Sequence, residues 1–236
     1  MVPIVEVSNI HTFYGSSHIL HGVSLTLNAG EIISLLGRNG MGKTTLLKSI
    51  MGLNPPKKGS VTFFGQNMTN SPVQKIAQQG IAFVPEHRGI FPNLSVLENL
   101  IMAAAPGVNG KEEWNLNRIL DTFPQLQARL NHMGNQLSGG EQQMASIARA
   151  LMTNPRVLLL DEVTEGLAPL VCQNIWSVIQ SIKETGIAAL IVDKDINALL
   201  HLTDQNVIIE KGKVVYEGNS QALKHQPDIL HRYLGL

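Results

Sequence analysis

The amino-acid sequence predicts an α/β fold whose core is a parallel sheet flanked by helices. Four runs are almost entirely apolar, as is typical of parallel strands buried on both faces: 32–36, 81–84, 157–160 and 188–192. Helical patterns follow several of these runs, at 43–51, 140–152 and 169–183. Strands and helices of this kind together predict the core of the fold.

Other segments predict two additions to this core. Short alternating runs separated by turns indicate an N-terminal antiparallel β subdomain: 5–7, 23–27 and 61–64. No strand pattern occurs over 95–132, which predicts an all-helical insertion. A late hairpin is expected at 207–216 and a closing helix at 227–236. We therefore predict one domain over 1–236, with a helical subdomain at about 95–153 inserted in the core.

Composition excludes several classes of protein. The 236 residues carry 18 Lys plus Arg and 18 Asp plus Glu, without the basic excess of a typical nucleic-acid binder. The single cysteine excludes an internal disulfide and fits a reducing compartment. Eight histidines are scattered without a cysteine cluster, so we predict no metal site among them. No apolar run is long enough to span a membrane, and no signal peptide begins the sequence. We expect a cytoplasmic protein.

A glycine-rich loop separates the first apolar run from the first helical pattern. It reads Gly37, Arg38, Asn39, Gly40, Met41, Gly42, Lys43, Thr44, Thr45. Such a loop directs backbone N–H groups and the positive end of a helix dipole toward phosphate. Lys43 is expected to reach the β- and γ-phosphates, and the Thr44 hydroxyl to bind Mg²⁺. We predict that this loop binds ATP.

Two carboxylates follow the apolar run 157–160. Asp161 and Glu162 are placed at the carboxyl end of a strand, where α/β sheets bind ligands. Asp161 is expected to hold Mg²⁺ through water. Glu162 is expected to orient and deprotonate the water that attacks the γ-phosphate. The pair therefore predicts hydrolysis as well as binding.

A second glycine-rich helix start, with Ser138, Gly139, Gly140 and Glu141, lies shortly before the acidic strand. Together with the loop and the carboxylates, it resembles the signature of the ATP-binding-cassette (ABC) ATPases, and the resemblance extends over nearly the whole chain. In that family these four residues contact ATP held by another subunit, so that two ATP molecules lie between two chains. The resemblance also implies that Tyr14 stacks on adenine.

Within this family, the sequence is most similar to the shorter ATPase subunit of bacterial branched-chain amino-acid importers. Three segments carry that similarity: 84–92, 137–144 and 165–169. Most ABC ATPases have Gln where this chain has Glu86, whereas this subgroup has Glu. We predict that Glu86 joins Thr44 and Asp161 as a ligand of Mg²⁺. Importers of urea and short-chain amides share much of the pattern and stay an alternative.

The sequence departs from the family pattern at three positions. Val163 replaces the usual proline, and Ala168 replaces the usual aspartate. Lys194 stands where a switch histidine contacts the γ-phosphate, a place where this subgroup usually has Gln. We hypothesise that Lys194 contacts the γ-phosphate and takes part in catalysis. Because its side chain is longer and more flexible, its ammonium would be held in place less firmly than a histidine ring. The alternative is a solvated lysine at a strand end.

The resemblance implies an importer subunit that energises uptake of branched-chain or related amino acids. Its expected partners are membrane-spanning permease subunits, a second ABC ATPase in a homo- or heterodimer and, indirectly, a periplasmic or lipoprotein substrate-binding protein, with no nucleic acid. It is expected on the inner face of the cell membrane, where Phe91, Pro92 and Leu94 would contact the permease. A soluble ABC regulator and a low-turnover nucleotide sensor are the alternatives.

Overall fold

The computed structural model describes residues 3–235, and its strands form two sheets. The strands are β1 Val5–Tyr14, β2 Ser17–Leu27, β3 Ile32–Leu36, β4 Lys58–Phe63, β5 Gln66–Asn67, β6 Ile81–Val84, β7 Val157–Asp161, β8 Ala188–Val192, β9 Gln205–Glu210 and β10 Lys213–Asn219. The helices are α1 Lys43–Ile50, α2 Val73–Ala77, α3 Val96–Ile101, α4 Leu116–Thr122, α5 Pro124–Gln127, α6 Gly139–Leu151, α7 Pro169–Glu184, α8 Ile196–Leu202, α9 Ser220–Lys224 and α10 Pro227–Leu234.

The larger sheet has the order β10-β9-β3-β8-β7-β6, and only β10 pairs antiparallel in it. Every residue of β3, β7 and β8 is buried. Side chains alternate between two cores: Ile32 packs with residues of α6, α7 and α8, whereas Ile33 packs with α1 and the smaller sheet. Helices were predicted on both faces, but much of the second face is covered by β-structure instead. The predicted α/β class is confirmed.

The smaller sheet is antiparallel, with the order β2-β1-β4-β5. Its strands β1 and β2 are longer than the predicted 5–7 and 23–27, because they continue into polar residues that pair despite several register shifts. The pairing brings three histidines of the scattered eight together. His11 Nδ1 lies 3.1 Å from His18 Nε2, and the His18 and His21 rings are 3.8 Å apart.

Helices dominate the chain between β6 and β7. This segment contains α3 to α6 and a short 3-10 helix at Gly134–Gln136; its β-pairing is an isolated bridge of Ser95 with Met133. Capping boxes begin α3 and α6, because Ser95 and Ser138 each accept from the backbone N–H of a glutamate that bonds back. The helical character agrees with the sequence, while the subdomain bounds of about 95–153 stay a prediction.

The carboxyl-terminal part forms the expected hairpin, β9 with β10, followed by α9 and α10. Helix α10 ends at Leu234, because Gly235 adopts a left-handed conformation with φ 79°. The predicted closing helix continued to Leu236, which lies outside the described residues. Among residues 3–235, no helix combines the length and apolar character needed to cross a membrane.

Candidate nucleotide site

The predicted phosphate loop connects β3 to α1. Gly37 has φ 139°, and a Cβ there would overlap the carbonyl oxygen of Ile209 in β9. Only glycine fits a conformation and a contact of this kind. Gly42, with φ 107°, precedes α1 and offers no side-chain cap to the first turn. The N–H groups of that turn therefore have the arrangement that binds anions at helix starts.

Lys43 is folded back over this loop. Its Nζ donates to the carbonyl oxygens of Gly37, at 2.8 Å, and Arg38, at 3.0 Å, and the residue is only 7% exposed. Burial lowers the pKa of its ammonium, while the nearby carboxylates of Glu162 and Asp161 oppose that shift. The charge of Lys43 is thus held within the cavity that the loop lines.

Thr44 and Asp161 meet across the site. The Thr44 hydroxyl donates to Asp161 Oδ1 at 3.0 Å, which joins the first turn of α1 to the end of β7. Burial raises the pKa of Asp161, the Thr44 hydrogen bond lowers it, and the charge of Glu86 raises it. Of the three predicted Mg²⁺ ligands, Thr44 and Asp161 are hydrogen-bonded to each other, and Glu86 lines the same cavity as Thr44. Their hydroxyl and carboxylate oxygens suit that ion.

Glu162 adopts an uncommon backbone conformation for a non-glycine residue, with φ 49°. Its N–H donates to the carbonyl oxygen of Val192 at 2.7 Å, so that the end of β8 fixes the turn after β7. Burial and the neighbouring Glu165 carboxylate raise the pKa of Glu162 to about 7, while Lys194 opposes them. A carboxylate with such a pKa is suited to accept a proton near neutral pH.

Lys194 follows β8 and points toward these acids. Its ammonium forms an ion pair with Glu165, and its Nζ lies 3.4 Å from Glu162 Oε2. The hydrogen bond to Glu165 is the main cause that raises the pKa of Lys194; burial opposes it, and the Glu162 charge adds to the increase. Oxygens of Glu86, Glu162 and Glu165 lie within 4.8 Å of one another. The lysine thus partly neutralises an acidic cluster.

Many of the predicted residues line one open cavity of about 440 Å³. Its lining comprises Ile19, Asn39, Gly40, Gly42, Lys43, Thr44, Thr45, Glu86, Glu162, Glu165 and Lys194. Gly37 and Arg38 are not in this lining, but their carbonyl oxygens accept hydrogen bonds from Lys43, which lines the cavity. Met41 is also outside the lining; its carbonyl oxygen accepts from the Gly212 N–H, which stabilises the loop. Tyr14 lies outside this lining, at the end of β1, and is 47% exposed. Its stacking on adenine stays a prediction.

The signature residues also lie outside the cavity lining. Ser138 caps α6. The Glu141 carboxylate accepts a hydrogen bond of 2.7 Å from the Ser138 N–H and forms an ion pair with Arg129. Gly139 and Gly140 allow close approach of Arg88 and Val171, which a Cβ would obstruct. Within one chain, the signature and the phosphate loop do not share that lining. The contact of these residues with ATP on another chain stays a prediction.

Sequence reasoning missed two residues that organise the site. Asp193, buried directly after β8, accepts from the Thr164 hydroxyl at 2.6 Å and from the Lys194 N–H at 2.8 Å. Glu165 binds Lys194. The signal for Asp193 was present, because it follows a buried strand just as Asp161 ends one. No sequence pattern indicated the pairing of Glu165 with Lys194.

The departures from the family pattern have local structural settings. Val163 is buried and packs in the core against the helices. Ala168 precedes α7 without a side-chain cap, and Pro169 occupies the first turn. Proline is favoured there since it needs no N–H partner. Helix α7 therefore begins without the capping oxygen that aspartate would supply.

Comparison with known proteins identifies the family. Residues 20–165 match the ABC transporter family model. The chain is 36% identical to BraG, a high-affinity branched-chain amino acid transport ATP-binding protein of Pseudomonas aeruginosa, over 98% of this chain and 100% of that protein. It is 30% identical to LptB, a lipopolysaccharide export system ATP-binding protein of Escherichia coli, over 98% and 97% of the two chains.

Solved structures show the same architecture. The ADP conformation of MJ1267, an ATP-binding cassette of an ABC transporter, superposes with a TM-score of 0.83 at 26% identity, over 100% of both chains. A dimeric structure of MJ0796, a bacterial ABC transporter cassette, has a TM-score of 0.79 at 28% identity, covering 92% and 98%. By sequence, site geometry and fold, the chain belongs to the ABC transporter family and is an ATPase of that family.

Proposed function

We propose that this chain is the ATP-binding and ATP-hydrolysing subunit of an importer for branched-chain or related amino acids. The observation that carries the proposal is the similarity to BraG, which extends over the full length of that protein. Glu86 and the segments 84–92 and 165–169 support the same subgroup. LptB, an export protein, is less similar at 30% identity, and it makes an exporter the second candidate.

The geometry supports a specific division of work in hydrolysis. The phosphate loop and Lys43 bind the phosphates, and Glu162 accepts the proton of the attacking water. Thr44, Asp161 and Glu86 would hold Mg²⁺, which neutralises charge on the phosphate oxygens when it is bound. The hydrogen bond from Thr44 to Asp161 keeps two of these groups in place beforehand. We propose Lys194 as a further cation near the γ-phosphate.

We propose that the working unit is a pair of ATPase chains. The signature residues are separated from the cavity lining within one chain, and a related cassette, MJ0796, is dimeric. Ser138 and the following glycines would then close on ATP held by a partner, either a second copy or a related ATPase. Such closure driven by γ-phosphate contacts is an established type of conformational switch.

The proposed contact with the permease is an apolar surface formed by the exposed Phe91 and Pro92 and the half-buried Leu94. Phe91 is 46% exposed, whereas the fully buried Asn99 fixes the segment beneath it by accepting from the Phe91 N–H at 3.0 Å. The Asn99 amide also donates to the carbonyls of Phe91 and Leu94. A rigid apolar surface of this kind suits docking of a helix from a membrane subunit. We propose on this basis that the protein works in the cytoplasm, on the inner face of the membrane.

Uptake measurements test the proposal. In cells that depend on this chain, replacing it with the Glu162→Gln variant should abolish uptake of radiolabelled leucine, isoleucine and valine, because the base for hydrolysis is lost. Uptake of urea serves as the test of the related importers. Unchanged uptake of the branched-chain amino acids, with loss of urea uptake, would instead identify the chain as the ATPase of a urea importer. Loss of neither would contradict the importer function.

A further inference from the structure

The ion pair of Lys194 with Glu165 has a consequence for nucleotide selectivity. Lys194 and Glu165 line the same cavity as the phosphate loop. The Lys194 side chain is 49% exposed and contacts only two acids in the described chain, Glu165 directly and Glu162 at 3.4 Å. A third anion at this place must therefore compete with existing partners.

The backbone of Lys194 is fixed, whereas its side chain is free to change partner. Asp193 accepts the N–H of Lys194 at 2.8 Å and that of Asp195 at 3.1 Å, and Asp193 is itself held by Thr164. The four-carbon stem of lysine leaves the ammonium free to move on this anchor. An exposed ion pair of this kind is weak enough to exchange.

We propose that Glu165 is a positioning residue that holds the Lys194 ammonium in the nucleotide-free protein and competes with the γ-phosphate for it. The inference rests on the proposed function, since it takes ATP as the ligand of the cavity. Glu165 thereby weakens the binding of ATP relative to ADP, which has no γ-phosphate to attract Lys194. In this way Glu165 sets the selectivity between the two nucleotides.

The size of the effect follows from the kind of contact involved. Pairs between exposed charges are weak, and removing one changes an equilibrium constant by at most about fivefold. Replacing Glu165 by glutamine removes the competing charge and keeps the shape. We expect Glu165→Gln to tighten binding of the β,γ-imido analogue of ATP about two- to fivefold. Binding of ADP should stay unchanged.

A double-mutant cycle separates this effect from simple charge repulsion. Dissociation constants of the ATP analogue and of ADP are measured by calorimetry for the full chain, Glu165→Gln, Lys194→Ala and the double variant. Excess EDTA is present throughout, so that loss of a carboxylate alters no metal site. Glu184→Gln, which removes a carboxylate from the exposed end of α7, is the matched control and should change neither constant.

The outcomes are distinguishable. The inference requires that Glu165→Gln shifts the ratio of the two constants in the presence of Lys194 and that the shift is abolished in Lys194→Ala. An equal change for both nucleotides, no change, or a shift of the same size without Lys194 would overturn it. Binding of neither nucleotide by the unchanged chain would instead contradict the proposed function itself.

Discussion

The Thr44 hydroxyl donates a 3.0 Å hydrogen bond to the Asp161 carboxylate, across 117 positions of sequence. This contact joins the loop that binds phosphate to the strand that carries the acids for hydrolysis. The phosphate loop follows β3 and the acids lie at the end of β7, and these two strands lie on either side of β8. The sheet therefore sets the distance between the loop and the acids. The fold thus places the phosphate loop beside an acid expected to take part in hydrolysis.

Lys43→Ala should weaken ATP binding about ten- to a hundredfold, because the variant loses a charged donor to the phosphates and two bonds to the loop carbonyls. Calorimetric titration with ATP measures the change. Lys224→Ala removes the same charge from the exposed end of α9 and is the matched control. Equal affinities of the Lys43 variant and the unchanged chain would show that the loop does not bind phosphate as described.

The pKa of Glu162, raised to about 7, predicts the pH dependence of hydrolysis. A general base acts in its deprotonated form, so kcat/KM should fall as pH drops through 7 and be roughly tenfold lower at pH 6 than at pH 8. Steady-state ATPase assays at constant ionic strength measure this profile. Glu162→Gln should reduce kcat at every pH, by about a hundredfold or more. A flat profile between pH 6 and 8 would contradict the role of Glu162 as base.

Asp193→Ala should destabilise the fold by about 2–4 kcal/mol, because it leaves two buried donors of Thr164 and two partly buried backbone N–H groups without their acceptor. Urea unfolding measures the free energy. The matched control is Asp121→Ala, in the exposed last turn of α4, and it should change that free energy by less than about 0.5 kcal/mol. Similar values for both variants would mean that Asp193 does not organise the turn after β8.

Gly37→Ala should destabilise the protein by about 2–4 kcal/mol and abolish ATP binding, because the added Cβ is strained at φ 139° and overlaps Ile209. Gly110→Ala is the matched control: its φ of 75° is also positive, but a Cβ there meets nothing within 4 Å. It should cost only about 1 kcal/mol and leave ATP binding intact. Equal effects of the two variants would contradict the close contact at β9.

The sequence predicted the buried strands best. The bounds of β3, β6 and β8 match the apolar runs, because burial on both faces favours apolar residues; the polar exception, Ser34 in β3, donates its hydroxyl hydrogen to the buried Asn206 at 2.6 Å. Strands β1 and β2 extend beyond their predicted ends, through polar residues such as His11 and His18. Their pairing is decided by contacts between strands, which a local pattern does not contain.

The residues of the candidate site were predictable where they directly follow a buried strand or directly precede a helix. Asp161, Glu162 and the phosphate loop occupy such places: Glu162 lines the same cavity as the loop, and Asp161 accepts a hydrogen bond from Thr44 of the loop. The ion pair of Glu165 with Lys194 was not predictable, because it depends on two loops that are adjacent only through the pairing of β7 with β8. The same pairing explains why Asp193 reaches Thr164.

The most direct test of the central claim is to tag this chain, extract it gently from membranes and identify the proteins that co-purify. The account predicts two multi-spanning permease subunits and a second ATPase chain, either another copy or a related protein. Recovery with ribosomal proteins or DNA, or without any membrane protein, would contradict the role in transport.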